Sequence, residues 1–139
     1  MTRALMVLLL ISPALTPGQT HRLRDAHTIY VDSLGLSDDA NLQREKLINK
    51  LVKSKRLVVV DSAEAADIIL TGASATRDRF VQGTSRRVTR MAIKAVSRDH
   101  RVLWTLETRS GAWRWSDDAY EKVAKELLKA IEKDDKSKN

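Results

Sequence analysis

No cysteine occurs anywhere in the chain. That absence removes a disulfide framework, a thiolate metal site, a cysteine nucleophile and a lipid attached through an N-terminal cysteine. Glycine is sparse too, with five residues. "TGASATR" holds one glycine and no Lys-Ser pair ahead of a helix, so a Gly-rich phosphate cradle is missing. No GxSxG elbow is present to expose a nucleophilic serine. Aromatics make up 4% of residues, with Phe80 the one phenylalanine, too few to interleave with cations as a stacking platform for bases.

Long hydrophobic runs are missing as well. The longest opening run, Ala4 to Ile11, follows Arg3 and is followed by Pro13, Pro17 and Gly18. A short basic start, an apolar segment too short to span a bilayer and small helix-breaking residues make the order of a secretory signal peptide. Thr16 and Gly18 fit the −3 and −1 positions, which places cleavage before Gln19. Residues 1–18 are then the signal and 19–26 a polar linker; retention as an N-terminal anchor is the alternative.

What remains is strongly basic. The chain has 25 Lys and Arg against 18 Asp and Glu, a net +7, of which Arg3 leaves with the signal. "RDRFVQGTSRRVTR", Arg77 to Arg90, holds five arginines against one aspartate, so most of the excess is local.

The rest reads as one domain, residues 27–132, with a charged disordered tail over 133–139. "HTIYVD" is a first strand, rich in β-branched and aromatic residues. Ser37 ahead of Asp38 and Asp39 caps a helix to Ser54, with Ala40, Leu47, Ile48 and Leu51 on one side and Arg44, Glu45 and Lys53 outside the stripe. "RLVVVDS" (56–62) reads as a buried strand, and "IILTGASAT" (68–76) and "VTRMAIKAVS" (88–97) as further strands. In "RVLWTLETRS" (101–110), Val102, Trp104, Leu106 and Thr108 share one face. Ser116, Asp117 and Asp118 open a last helix, in which Tyr120, Val123, Ala124, Leu127, Leu128 and Ile131 trace an apolar stripe to about Glu132. Trp115 and Tyr120 have the spacing of a hydrophobic staple. The order β-α-β-β-β-β-α predicts an α+β two-layer sandwich: a mostly antiparallel sheet of about five strands with two helices on one face.

"VVVDSAEAADIILTGASA", with its Ala66-Asp67 turn and Thr71-Gly72 ending, and Val102-Leu103-Trp104 further on, resembles a group of small exported bacterial envelope domains. The group includes the N-terminal domain of the Tol-system propeller protein and the periplasmic domain of the curli-secretion lipoproteins. The resemblance implies a non-enzymatic domain that docks other proteins or assembles at a membrane. Two departures stand out: this chain has no cysteine to acylate, and His100 follows Asp99 where a turn glycine is usual.

Other candidates read as structural. His21, His27 and His100 lack the spacing of a metal site. The Asp38-Asp39 and Asp117-Asp118 pairs complement helix dipoles. Trp104 belongs to the core, and Trp113 is either packed or an exposed anchor for a partner. The expected partner surface is therefore Arg77, Arg79, Arg86, Arg87, Arg90 and Trp113, on a hairpin turning at "QGTS" with Arg79 and Arg87 able to share one face. It would contact a protein or an anionic component of the envelope, with no cofactor and no metal. A nucleic-acid-binding module and a small hydrolase built around His100 are the alternatives, and edge protection against sheet pairing is the non-functional one. If the signal reading is right, N-terminal sequencing of the protein recovered from an envelope or culture fraction will begin at Gln19. A cytoplasmic protein that begins at Met1 would contradict it.

Overall fold

A computed structural model describes residues 22–110 and 118–136. The elements are β1 (Thr28–Val31), α1 (Asp38–Ser54), β2 (Val58–Val59), β3 (Ile68–Val81), β4 (Thr84–Ser97), β5 (Val102–Ser110) and α2 (Ala119–Lys136). The sheet order is β2-β1-β3-β4-β5. β1 is parallel to both β2 and β3, over short registers, while β3, β4 and β5 pair antiparallel over their lengths. The result is the α+β sandwich, with both helices on one face.

Side chains that alternate onto that face form the core: Ile29 and Val31 on β1, Ile68 and Leu70 on β3, Met91, Ile93 and Ala95 on β4. The helices supply Leu47 and Leu51 from α1 and Val123, Leu127 and Ile131 from α2, all buried. Each such side chain contributes about 1.5–3 kcal/mol.

The caps explain where α1 stands. Ser37 Oγ accepts the Ala40 N–H at 3.1 Å, Asp38 and Asp39 occupy the first turn, and the helix closes on Lys55 at φ 58°. Arg44, outside the apolar stripe, is not a free surface residue: its Nε donates to the Val31 carbonyl at 2.9 Å and ties α1 to β1. Asp67 fixes the other end of β1. Its carboxylate accepts the His27 and Thr28 N–H groups at 2.8 and 3.1 Å, and its own N–H donates to Thr28 Oγ1 at 2.8 Å. The Ala66-Asp67 turn is thus a clamp between the first and third strands.

Five expectations need correction. β2 is two residues long rather than a buried strand over 56–62, and Val58 is 63% exposed, because β2 is a sheet edge paired to β1 alone. Val102 is exposed instead of sharing the face of Trp104. The register slips by one between Ala95 and Val96, so Val102 sits opposite Val96 while Leu103 and Trp104 both pack on the core. The link through residue 26 belongs to the domain, since Leu23 and Ala26 are buried at a 3-10 turn. The last helix continues to Lys136, into the segment expected to be tail. It begins at Ala119, and the Asp118 carbonyl accepts the Lys122 N–H at 3.1 Å, so Asp118 precedes the helix. Trp113, Trp115, Ser116 and Asp117 lie outside the described residues, as do His21 and the signal segment.

β3 and β4 form one long hairpin in which residues 68–81 oppose 97–84 without interruption. Its loop is Gln82-Gly83, with φ 50° and 75°. Two positive φ values are what a type I′ turn requires, the turn whose twist matches that of the strands. Gly72 is the hairpin's other special position. At φ 152°, an added Cβ would lie 1.9 Å from the Ala92 carbonyl oxygen on the neighbouring strand. Gly72→Ala is therefore expected to cost at least about 2 kcal/mol, to be read as a lower urea midpoint with unchanged slope.

Candidate functional site

Among the described residues, the helices leave the opposite face of the sheet uncovered, and strand alternation decides which charges it carries. On β3 the outward residues include Ala73, Ala75, Arg77 and Arg79; on β4 they include Arg86, Val88, Arg90, Ala92 and Lys94; on β5, Thr105, Glu107 and Arg109. Among the described residues of these three strands, that face presents six cations against one acid, Glu107.

Register brings like charges together. Arg79 stands directly opposite Arg86, and Arg90 directly opposite Arg109. Like-charged cross-strand neighbours destabilise a sheet by about 0.2–1 kcal/mol per pair. Glu107 offsets part of this, with Oε1 3.5 Å from Arg90 Nε. Asp78, the acid within the arginine stretch, does not share the face, because it alternates to the helix side.

Arg87 goes with it. The expectation that Arg79 and Arg87 share a face is corrected: a two-residue loop sets Arg87 opposite Asp78. Its guanidinium lies 3.3 Å from Asp39 Oδ2, in the first turn of α1, and 3.7 Å from Asp78 Oδ1. With both side chains more than a third exposed, these contacts orient the hairpin over the helix more than they stabilise it. Phe80, 80% exposed, is on the same side as Arg87.

Two depressions lie on the open face. One, of about 380 Å³, is lined by Ala75 and Val88 with Arg77, Arg79, Arg90 and Arg109 around them, and Asp78, although it alternates to the helix side, also borders it. Beside it a shallow trough of about 510 Å³ runs over Gly72, Ala73 and Ala92 between Lys94, Thr105 and Glu107. Small side chains in the floor let a partner approach the backbone, while arginine forks around it match planar or tetrahedral oxyanions bidentately. Arg109 and Lys94 were missed by reading the sequence, since neither belongs to the arginine run. Only the pairing of β4 with β5 makes Arg109 a neighbour of Arg90.

The remaining candidates fall elsewhere. His27 contributes its backbone to the Asp67 clamp. His100 is exposed in the β4–β5 turn at φ 64°, the left-handed conformation for which glycine is usual, and it lines neither depression. Among the described residues, no cluster of three metal-ligating side chains occurs and no helix is long and apolar enough to cross a membrane.

This architecture defines a class, the two-layer α+β domain. Within it, PelC from Paraburkholderia phytofirmans, solved as a dodecamer, superposes with TM-score 0.52 at 17% identity, covering 75% of this chain and 84% of that one. A single-substitution variant of the same protein gives 0.51 at 17% identity, over 76% and 82%. A Xanthomonas campestris protein of the DUF330 family gives 0.48 at 12% identity, over 76% and 77%. The likeness to PelC is one of fold. No protein-family model matches the chain, and no curated protein matches it.

The like-charge pairs have a measurable signature. Arg86→Thr is expected to raise stability by about 0.2–1 kcal/mol at low ionic strength by relieving Arg79. The gain should vanish in about 1 M salt, where the Debye length falls to about 3 Å. Thermal melts of the two proteins at both salt concentrations read this directly.

Proposed function

We propose that this protein is a non-enzymatic, exported domain of the bacterial envelope that acts by binding an anionic envelope partner on the uncovered face of its sheet. The observation that carries the reading is the pair of cross-strand arginine contacts, Arg79 with Arg86 and Arg90 with Arg109, on a face that the core does not use. A fold gains nothing from them; an oxyanion placed between the forks turns their repulsion into attraction. Arg77 completes the surface, and Arg87, paired to Asp39 and Asp78, is left out of it.

Export rests on the leader-like first eighteen residues. An assembly role has support from the fold, since the PelC domain of this architecture was solved as a dodecamer. Trp113, outside the described residues, keeps its place as a partner anchor on its residue type alone. Nucleic acid is disfavoured by Phe80: among the described residues, this exposed aromatic lies on the other side of the hairpin from Arg77, Arg79, Arg86 and Arg90. A hydrolase would need His100 in a pocket with an acid and a hydroxyl, and His100 lines neither open-face depression.

Serine at Arg79, Arg86, Arg90 and Arg109 should leave the far-UV spectrum unchanged and abolish low-salt co-sedimentation with anionic envelope material. Arg87→Ser should retain it. Co-sedimentation that survives the fourfold replacement would remove this face from the account.

A further inference from the structure

The helix layer carries a second cationic site, on the side of the sandwich away from the arginines of the open sheet face. Lys46, Lys50 and Lys53 recur at i, i+4 and i+7 along α1, which sets them on one flank. That flank borders a groove between the two helices, with Ala124 and Leu128 in its floor and Lys125 on its far side. The groove encloses about 500 Å³. Glu121 is the one acid in its lining, 3.8 Å from Lys50 Nζ. Lys46 Nζ stands 5.6 Å from the centre of the Tyr120 ring. The Tyr120 phenol is held above its ordinary pKa, first by desolvation and then by the Glu121 and Asp118 carboxylates.

We propose that this groove docks an acidic amphipathic helix of a partner protein. Lys46 to Lys53 spans about 10 Å at 1.5 Å per residue, two turns of a bound helix. Apolar side chains on one stripe of such a helix reach the half-buried Leu128 and the methylene stems of the lysines, while carboxylates flanking the stripe meet the lysines on both rims. A flat bilayer reaches the lysine tips but not the half-buried Leu128 between the two rims. A uniformly acidic polymer uses the rim and ignores the floor. Lysine suits this occupant, because a point charge on a flexible stem follows carboxylates at several positions along a helix, whereas arginine forks demand a fixed geometry. The site does not depend on the sheet face. Lying on opposite sides, the two can be occupied together, so the domain can join one partner to another.

The test uses the full chain and a labelled peptide with Leu at i, i+3, i+4 and i+7 and Glu between, followed by fluorescence anisotropy at low salt. A scrambled peptide of the same composition and poly-L-glutamate should each bind at least fivefold more weakly, being without an apolar stripe. Lys50→Gln, Lys53→Gln and Lys125→Gln together should weaken the peptide by about 5–30-fold, the loss of three partly exposed ion pairs. Arg79→Ser with Arg90→Ser should leave its affinity unchanged, which separates this site from the sheet face. No binding by the peptide, equal binding by its scrambled form, indifference to the lysine replacements, or loss in the arginine variant would each overturn the proposal. So would lysine-dependent sedimentation with phosphatidylglycerol vesicles in the absence of peptide binding, which would give the groove to a membrane.

Discussion

Two residues, Gln82 and Gly83, determine where every charge on the long hairpin goes. Their left-handed conformations close β3 onto β4 with a two-residue loop, and that loop fixes a single pairing along fourteen positions. A sheet alternates sides with a period of two, so a slip of one residue would exchange the two faces. Arg79 would then leave Arg86, Arg87 would leave Asp78, and the apolar set of Met91, Ile93 and Ala95 would lose the helices. The buried half of the hairpin and its arginine half enforce the same register, one through packing and the other by inheriting it. Gln82 is itself an uncommon residue for a left-handed position, which the length of the ladder offsets.

Much of this was legible in the sequence, and the parts that were not share a cause. α1 was readable to both ends because its signals are local: Ser37, two aspartates and an apolar stripe at helical spacing. The succession of strands along the chain followed from alternation and β-branched runs. Arg87, Val102 and Arg109 were not readable, since each depends on what lies opposite. A two-residue loop sends Arg87 to the helix side. A one-residue bulge at Leu103 sends Val102 outward. Only β4–β5 pairing makes Arg109 part of the arginine ring. β2 was misjudged because a run of valines shows that a strand is apolar but not whether a second neighbour covers it. Arg44 read only as lying outside the apolar stripe and Asp67 only as part of a turn, yet each holds a backbone group of β1, and no periodicity reports such a bond.

Charge on this protein is therefore sorted by layer. Guanidinium groups gather over small side chains on the bare sheet, and ammonium groups flank an apolar groove between the helices. Arg87 is the link between layers, leaning from the hairpin toward Asp39 at the start of α1. The Arg77–Arg90 segment is soluble wherever its charges point, but solubility alone does not call for arginines set directly against arginines on the same face. Protection of a strand edge would be served as well by the mixed signs seen at Arg87 and Asp78.

Because the chain has no native cysteine, its register can be trapped without background. Cysteines at Asp78 and Arg87 sit directly opposite each other, within the Cα separation that a disulfide needs, whereas cysteines at Arg79 and Arg87 point to opposite faces. Mild oxidation of the two double variants is the most direct measurement of the claim that the turn sorts the arginines. The account predicts rapid cross-linking of the 78/87 pair and none of the 79/87 pair; the reverse result would put Arg79 and Arg87 on one face and dissolve the site built here.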